Sequence, residues 1–149
     1  MQITFNLPHA FEPNSTKVAN AYTLHAMLEM MVAINIAFLR EHPKTPPLYE
    51  SGVRYGRTLI WEVIPALYLP NKRRWVGRYY APGELGGAQL GDCKSLGPAR
   101  AAELRLSGRK CIVEHRFRDR PNDDGRLDFH ILLLTDSGYE DPSRVLGMK

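Results

Sequence analysis

The chain has 149 residues, of which 44% are hydrophobic and 24% are charged; these are the proportions of an ordinary globular domain. A chain of this length forms one domain with a real hydrophobic core. The net charge of +4 permits an anionic partner but does not require one. The 2 cysteines exclude a disulfide framework, and we expect a reducing, cytoplasmic location.

The N-terminal part, residues 1–48, is predicted to form a short strand and one long helix. Met1 to Leu7 alternates apolar and polar residues, which is typical of a strand. Residues 14–16 offer N-caps for a helix that runs to about Arg40. From Met27 to Leu39 this helix is apolar nearly all round. Because that run is too short to span a bilayer, it favours a buried core helix, and we expect no membrane association.

Residues 71–80 form a basic segment in which cations alternate with aromatic side chains. Such a segment can follow a nucleic-acid backbone and stack on its bases. It is also typical of a solvated loop, which we favour because no helix-turn-helix, zinc-finger or RRM pattern accompanies it. The cations that would form a nucleic-acid interface are Lys72, Arg73, Arg74 and Arg78.

The central motif is Gly91-Asp92-Cys93, which comes directly before a helix-forming run. Asp92 is a strong helix N-cap, so Cys93 should lie in the first helical turn. The unpaired N–H groups and the positive end of the helix dipole favour a thiolate at that position. The sequence therefore predicts that Cys93 has a lowered pKa and acts as a nucleophile.

Two strands and a hairpin turn follow that helix. Residues 110–117 alternate in polarity, which is typical of a half-buried strand. Residues 127–134 are apolar on both faces apart from Asp128 and His130, which predicts a central strand. Residues 135–138 should form a tight turn into the strand that carries Asp141.

The length of this turn decides whether His130 and Asp141 can meet. A hairpin loop of two or four residues places both side chains on the same face of the sheet, whereas a loop of three residues places them on opposite faces. On the same face, the Asp141 carboxylate can hold the His130 imidazole. Cys93, His130 and Asp141 would then be nucleophile, base and orienting group.

Several segments together resemble one family. These segments are Tyr49–Tyr55, Gly91–Cys93, Ala101–Arg105, His130 within its apolar strand, Glu140–Ser143 and Leu146–Met148. Their pattern is similar to the transglutaminase-like cysteine peptidase superfamily, and most of all to small members encoded in bacteriophage genomes. The resemblance covers about Tyr49 to Met148. It implies a single α+β domain over residues 1–149. Residues 49–149 would form a papain-like core, with the nucleophile helix packed on an antiparallel sheet, and residues 1–48 would add the strand and the long helix.

The resemblance implies cysteine-dependent acyl transfer on amide bonds of a protein or peptide substrate, without a cofactor or metal. Cys93 would be the nucleophile, His130 the general base and Asp141 the orienting group. Water as the second acceptor gives a peptidase or amidase, and a lysine amine gives a transglutaminase. The oxyanion would be held by the Cys93 N–H and by one further donor. The candidates for that donor are Trp61, Trp75 and Tyr80.

The chain departs from the family pattern in two places. Lys94-Ser95 follows the cysteine, where family members often carry acidic residues. Gly97-Pro98 interrupts the nucleophile helix, and Pro98 cannot donate a hydrogen bond to the carbonyl of Lys94. Both departures bear on the efficiency of catalysis.

Two other interpretations stay open. A phage-encoded chain could serve as a virion structural or assembly protein that keeps the fold with little activity. It would then lie in the host cytoplasm or in the virion, with other phage structural proteins as partners. Zinc ligation by Cys93, Cys111, His115 and His130 is the other alternative, but their spacing matches no common zinc pattern. Cys111 alone is most simply a small buried apolar residue.

Overall fold

The computed structural model describes residues 17–57, 61–68, 89–120 and 128–149. In chain order its elements are α1 (Lys17–Glu41), a short 3₁₀ helix (Leu48–Glu50), β1 (Arg54–Tyr55), α2 (Ile64–Leu67), β2 (Leu90–Gly91), α3 (Cys93–Leu106), β3 (Cys111–Phe117), β4 (Phe129–Thr135), β5 (Gly138–Glu140) and α4 (Pro142–Val145). Helices and an antiparallel sheet in one chain confirm the α+β class. The predicted strand over residues 1–7 and the basic segment over 71–80, with Lys72, Arg73, Arg74 and Arg78, lie outside the described residues.

Strand β4 is the central strand of the three-stranded sheet, as the sequence predicts, with β3 and β5 on either side. Both neighbours run antiparallel to β4. Thr135 is paired with Gly138, so the β4–β5 loop contains only Asp136 and Ser137. The hairpin loop therefore has the even length that the pairing of His130 with Asp141 requires.

Helices α1 and α3 cover one face of this sheet. Alternate side chains of β3 and β4 point towards the helices because successive residues of a strand face opposite sides. The buried residues of this core are Leu24, Leu28, Val32, Ala101, Ala102, Leu104, Cys111, Val113, Ile131 and Leu133. An ion pair between Arg105 and Glu29, with N–O distances of 2.7 and 2.8 Å, also joins the two helices.

The apolar part of helix α1 is longer than predicted from the sequence. The run from Met27 to Leu39 is short, but Ala21–Glu41 is long and apolar enough to cross a membrane by length and composition alone. A single helix of this kind is weak evidence for a membrane span, because the core helix of a globular domain passes the same test. Leu24 and Leu28 are fully buried in the core beneath the sheet. One face of α1 therefore packs in the core, while the rest of the helix is partly or fully exposed.

A short parallel pair, β1 with β2, was not predicted from the sequence. Tyr55 lies opposite Gly91 in this pair, and the N–H of Gly56 donates to the carbonyl of Gly91 at 2.9 Å. Elements of two residues are too short to show a periodic pattern. The pair places Tyr55 beside the residues that lead into α3.

Gly97 allows α3 to lie directly on β4. A Cβ atom at Gly97 would be 2.6 Å from Cγ2 of Ile131, and Ile131 is fully buried. The helix runs from Cys93 to Leu106 through Gly97 and Pro98, so these two residues do not end it. The close contact at Gly97 brings the first turn of α3, with Cys93, against the strand.

We predict that Gly97→Ala destabilises the protein by about 1–3 kcal/mol, because the new methyl group overpacks the contact with Ile131. A loss of stability would point to this contact, because alanine is normally preferred to glycine inside a helix by ~1 kcal/mol. Urea unfolding of the single variants and of Gly97→Ala with Ile131→Ala measures the coupling. The double variant should lose less stability than the sum of the two single losses. If the two losses of stability were additive, the contact with Ile131 would not be the cause of the destabilisation.

Candidate active site

Cys93 is the first residue of α3, as predicted, and Asp92 is the N-cap. The Asp92 carboxylate accepts a hydrogen bond from the N–H of Lys94 at 3.3 Å. The Cys93 sulfur lies 4.0 Å from the carbonyl oxygen of Phe129, to which the thiol donates. The N–H of Ile131 also reaches the sulfur and acts to lower the thiol pKa. The sulfur therefore lies against the main chain of β4 and contacts the two residues that flank His130, Phe129 and Ile131.

The sulfur occupies an edge of β4 that β5 leaves open. Strand β5 pairs with Leu133–Thr135 alone among the described residues of β4. The N–H of Arg118 donates to the carbonyl of Asp128, which fixes that carbonyl towards β3. Successive carbonyl groups of a strand point to opposite edges, so the carbonyl of Phe129 points to the β5 side. Because β5 has already ended there, the Phe129 carbonyl accepts a hydrogen bond from the Cys93 thiol instead.

The His130 ring is held by the Asp141 carboxylate, with 2.9 Å between His130 Nε2 and Asp141 Oδ2. This contact confirms that the two side chains share a face. The other carboxylate oxygen of Asp141 accepts hydrogen bonds from the N–H groups of Ser143 and Arg144 at 3.1 and 3.2 Å. Asp141 lies just beyond β5, as the N-cap of α4, rather than within the strand as predicted. The cap fixes Oδ1, while Oδ2 contacts the imidazole and also lies 3.6 Å from Arg144 Nε.

The ring nitrogen that remains, Nδ1 of His130, is the one nearer to the main chain. The Cys93 sulfur lies against that same stretch of main chain. Within the described residues the thiol donates to Phe129 O, and no hydrogen bond joins the sulfur to the imidazole. The His130 side chain is 30% exposed, so solvent or a substrate can reach it. The structure joins His130 to Asp141 and places the Cys93 sulfur against the main chain beside His130; among the described residues the Cys93–His130 hydrogen bond is not formed.

The pKa of the Cys93 thiol is raised to about 12, chiefly by burial and then by the charge of Asp92. The N–H of Ile131 and the ammonium group of Lys94 act in the opposite direction but do not offset these effects. The predicted lowering of this pKa is therefore wrong for the resting site. Removal of the sulfur from water outweighs the helix dipole, whose effect is confined to the first turn.

Asp92 and Lys94 form a direct ion pair, and both residues are buried. The lysine that follows Cys93 thus has a local partner. Burial of a paired charge is tolerated because each group satisfies the other. The pair lies immediately beside Cys93 at the start of α3.

Tyr55 is a residue of the site that the sequence did not reveal. Its pKa is raised by burial first and then by the charge that Cys93 would carry. The tyrosine hydroxyl therefore lies within electrostatic reach of the sulfur. Its placement follows from the pairing of β1 with β2, and a two-residue pair leaves no signal in the sequence.

Trp61 is the one of the three proposed oxyanion donors that lies within the described residues; Trp75 and Tyr80 lie outside them. Trp61 packs against the same core cluster as Cys93, and its ring centroid is 6.2 Å from that of Phe129. The next residue, Glu62, donates its N–H to the hydroxyl of Ser95 at 3.0 Å. This hydrogen bond attaches the Trp61 segment to the first turn of α3.

The residues named for zinc ligation are not brought together. Cys111 and His115 share a face of β3, as expected, but His130 pairs with Arg116 and lies on the other face. In the ranges that the structure describes, no group of three or more His, Cys, Asp or Glu side chains could hold a metal ion. Cys111 is buried in the hydrophobic core, which confirms its interpretation as a small apolar residue.

Comparison with known proteins adds no relative to this picture. No family model matches the chain, and no curated protein or solved structure matches it either. The geometry of Cys93, His130 and Asp141 is therefore the basis for inferring a function.

The raised thiol pKa predicts the pH dependence of alkylation. Without substrate, reaction of Cys93 with iodoacetamide should be slow at neutral pH and should rise steadily through pH 9, because the thiolate is scarce well below a pKa of about 12. Peptide mapping by mass spectrometry separates Cys93 from Cys111, whose pKa is also raised by burial. A Cys93 rate that is already maximal in mildly acidic solution would contradict this prediction and indicate a preformed thiolate.

Proposed function

We propose that the protein catalyses cysteine-dependent acyl transfer on amide bonds of a protein or peptide. Cys93 is the nucleophile, His130 the general base and Asp141 the orienting group, in a papain-like core of the transglutaminase-like type. The observation that carries the proposal is the 2.9 Å contact between His130 Nε2 and Asp141 Oδ2, formed next to the main chain on which the Cys93 sulfur lies.

The order of proton transfer follows from this geometry. Asp141 holds the proton on Nε2 of His130, so Nδ1 is the atom that accepts the proton of the thiol. With a thiol pKa of about 12, the sulfur is protonated before substrate binds. Proton transfer to His130 then accompanies the attack of sulfur on the carbonyl carbon. This is general-base catalysis rather than attack by a preformed thiolate.

The remaining steps return the enzyme to its starting state. Attack forms the carbon–sulfur bond and moves the carbonyl electron pair onto oxygen. The His130 imidazolium then protonates the leaving amine, and the carbon–nitrogen bond breaks to give a thioester. Water or a primary amine attacks the thioester, with His130 as base, and releases the product and the Cys93 thiol. The choice between these acceptors decides between hydrolysis and transamidation.

The oxyanion is assigned to the Cys93 N–H together with a second donor. The helix cap uses the N–H groups of Lys94, Ser95 and Leu96, all of which donate to Asp92. The N–H of Cys93 lies at the same positive end of α3, where developing negative charge is stabilised. The second donor is the indole of Trp61 or the hydroxyl of Tyr55. The raised pKa of Tyr55 keeps that hydroxyl protonated.

An assembly role in a phage particle is the alternative, and two observations favour it. The Cys93 side chain is half-buried, and this burial raises the pKa of its thiol. The sheet face opposite the helices also exposes apolar side chains, with Ile112 54% and Tyr139 57% exposed. Under this hypothesis the fold is kept while turnover is dispensable, and other virion proteins are the partners. The protein would lie in the host cytoplasm or in the particle.

The acyl-transfer proposal predicts a covalent intermediate on Cys93. With 4-nitrophenyl acetate, an activated acyl donor, intact-mass spectrometry should show one acetyl group on Cys93, and Cys93→Ala should abolish it. His130→Ala should slow acylation about 10²–10⁴-fold, the usual size of general-base catalysis. Adding a primary amine then distinguishes transamidation from hydrolysis by the product formed.

Cys111→Ser is the matched control, because Cys111 is the second cysteine of the chain and lies in the core. This variant should be acylated as the wild type is. Equal acylation of the wild type, Cys93→Ala and His130→Ala would contradict the proposal. A particle that assembles normally with Cys93→Ala, together with an inert wild type, would favour the assembly role.

A further inference from the structure

We propose that Arg100 and Glu140 position the catalytic carboxylate, by tying the helix that carries Cys93 to the residue that precedes Asp141. The inference rests on the proposed function, because it assigns a positioning role within the same site. Arg100 Nε donates to Glu140 Oε1 at 2.7 Å. The Arg100 side chain is 20% exposed and that of Glu140 is 22% exposed, so the pair is largely shielded from water.

The pair acts on Asp141 through the alternation of side chains along the chain. Glu140 is the last residue of β5 and lies opposite Leu133, whose side chain points into the core beneath the helices. Residue 141 follows directly and turns to the other face, where it meets His130. When Arg100 holds the Glu140 side chain on the helix face, the next residue must present its carboxylate to the imidazole.

The same arginine also fixes the nucleophile helix. Arg100 lies seven residues after Cys93 on α3, which is about two helical turns or roughly 10 Å along the axis. Its NH1 group donates to Glu103 Oε2 at 2.9 Å, so both acidic partners share one guanidinium. A shift of α3 along its axis therefore pulls on Glu140, and the sulfur and the carboxylate stay in a fixed relation.

A third segment of the chain joins this network. The hydroxyl of Tyr49 donates to Glu140 Oε1 at 2.5 Å, and the Arg100 guanidinium stacks over the Tyr49 ring at 4.7 Å. The N–H of Leu48 donates to Glu103 Oε1 at 2.5 Å. The segment from 48 to 55 leads into β1, which pairs with the strand before Cys93. The network thus joins the three parts of the chain that meet around the site.

Arg100 stays charged and Tyr49 stays a hydrogen-bond donor while the enzyme works. Burial acts to lower the pKa of Arg100, but hydrogen bonds to Glu140 and Glu103 outweigh it and raise that pKa. Burial also raises the pKa of Tyr49, and its hydrogen bond to Glu140 adds to this effect, so its hydroxyl remains a donor. An arginine with two carboxylate partners offers the planar fork that lysine cannot reproduce.

The test reads the His130 ring directly by ¹⁵N–¹H NMR of the imidazole, without substrate. In the wild type, the Asp141 contact should hold the ring as a single tautomer with the proton on Nε2. Glu140→Ala and Arg100→Lys should give a mixture of tautomers, and acylation of Cys93 should slow about ten- to hundredfold. Glu140→Gln keeps the shape of the side chain and serves if Glu140→Ala does not fold; it should show a smaller change in the same direction.

Arg105→Ala is the matched control. Arg105 is also on α3 and also forms a partly buried ion pair, with Glu29, but it lies on the α1 side of the helix. Its loss should lower thermal stability and leave the His130 tautomer unchanged. The proposal is overturned if folded Glu140→Gln and Arg100→Lys keep the wild-type ring spectrum, or if Arg105→Ala alters it equally. Since the spectrum needs no turnover, an inert wild type would count against acyl transfer alone.

Discussion

The arrangement of the molecule depends on the contact between Gly97 and Ile131, where α3 lies directly on the central strand. With no side chain at Gly97, the helix approaches β4 closely enough for its first turn to reach the main chain of the strand. Protein interiors are close-packed, so a displacement at one contact is transmitted along a rigid element. The position of Cys93 depends on this contact, because the cysteine lies four residues before Gly97 on the same helix.

Two opposing effects act on the pKa of the Cys93 thiol. The helix terminus offers a positive field, which stabilises an anion by about 0.3–1 kcal/mol when exposed. Burial removes water from the sulfur and disfavours the anion, and here it is the larger effect. The sulfur is therefore present as a neutral thiol near neutral pH. A neutral, shielded thiol also resists oxidation, which proceeds through the thiolate.

The sequence predicted the parts of the site that depend on local rules. Asp92 as a cap and the shared face of His130 and Asp141 follow from helix capping and from strand alternation, which act over a few residues. The pKa of Cys93 could not be obtained this way, because burial depends on what packs around the sulfur. The place of Tyr55 was missed for a similar reason: its pairing with Gly91 joins residues 36 positions apart along the chain.

The buried pair of Asp92 and Lys94 gives a physical reason for the lysine after Cys93. Asp92 is needed as the cap of α3, yet its negative charge lies beside Cys93 and raises the thiol pKa. The Lys94 ammonium binds that carboxylate directly and itself acts to lower the thiol pKa. An acidic residue at this position would instead add a second negative charge next to the sulfur. Lysine therefore allows the Asp92 cap to be kept while the field of its carboxylate at the Cys93 sulfur is partly cancelled.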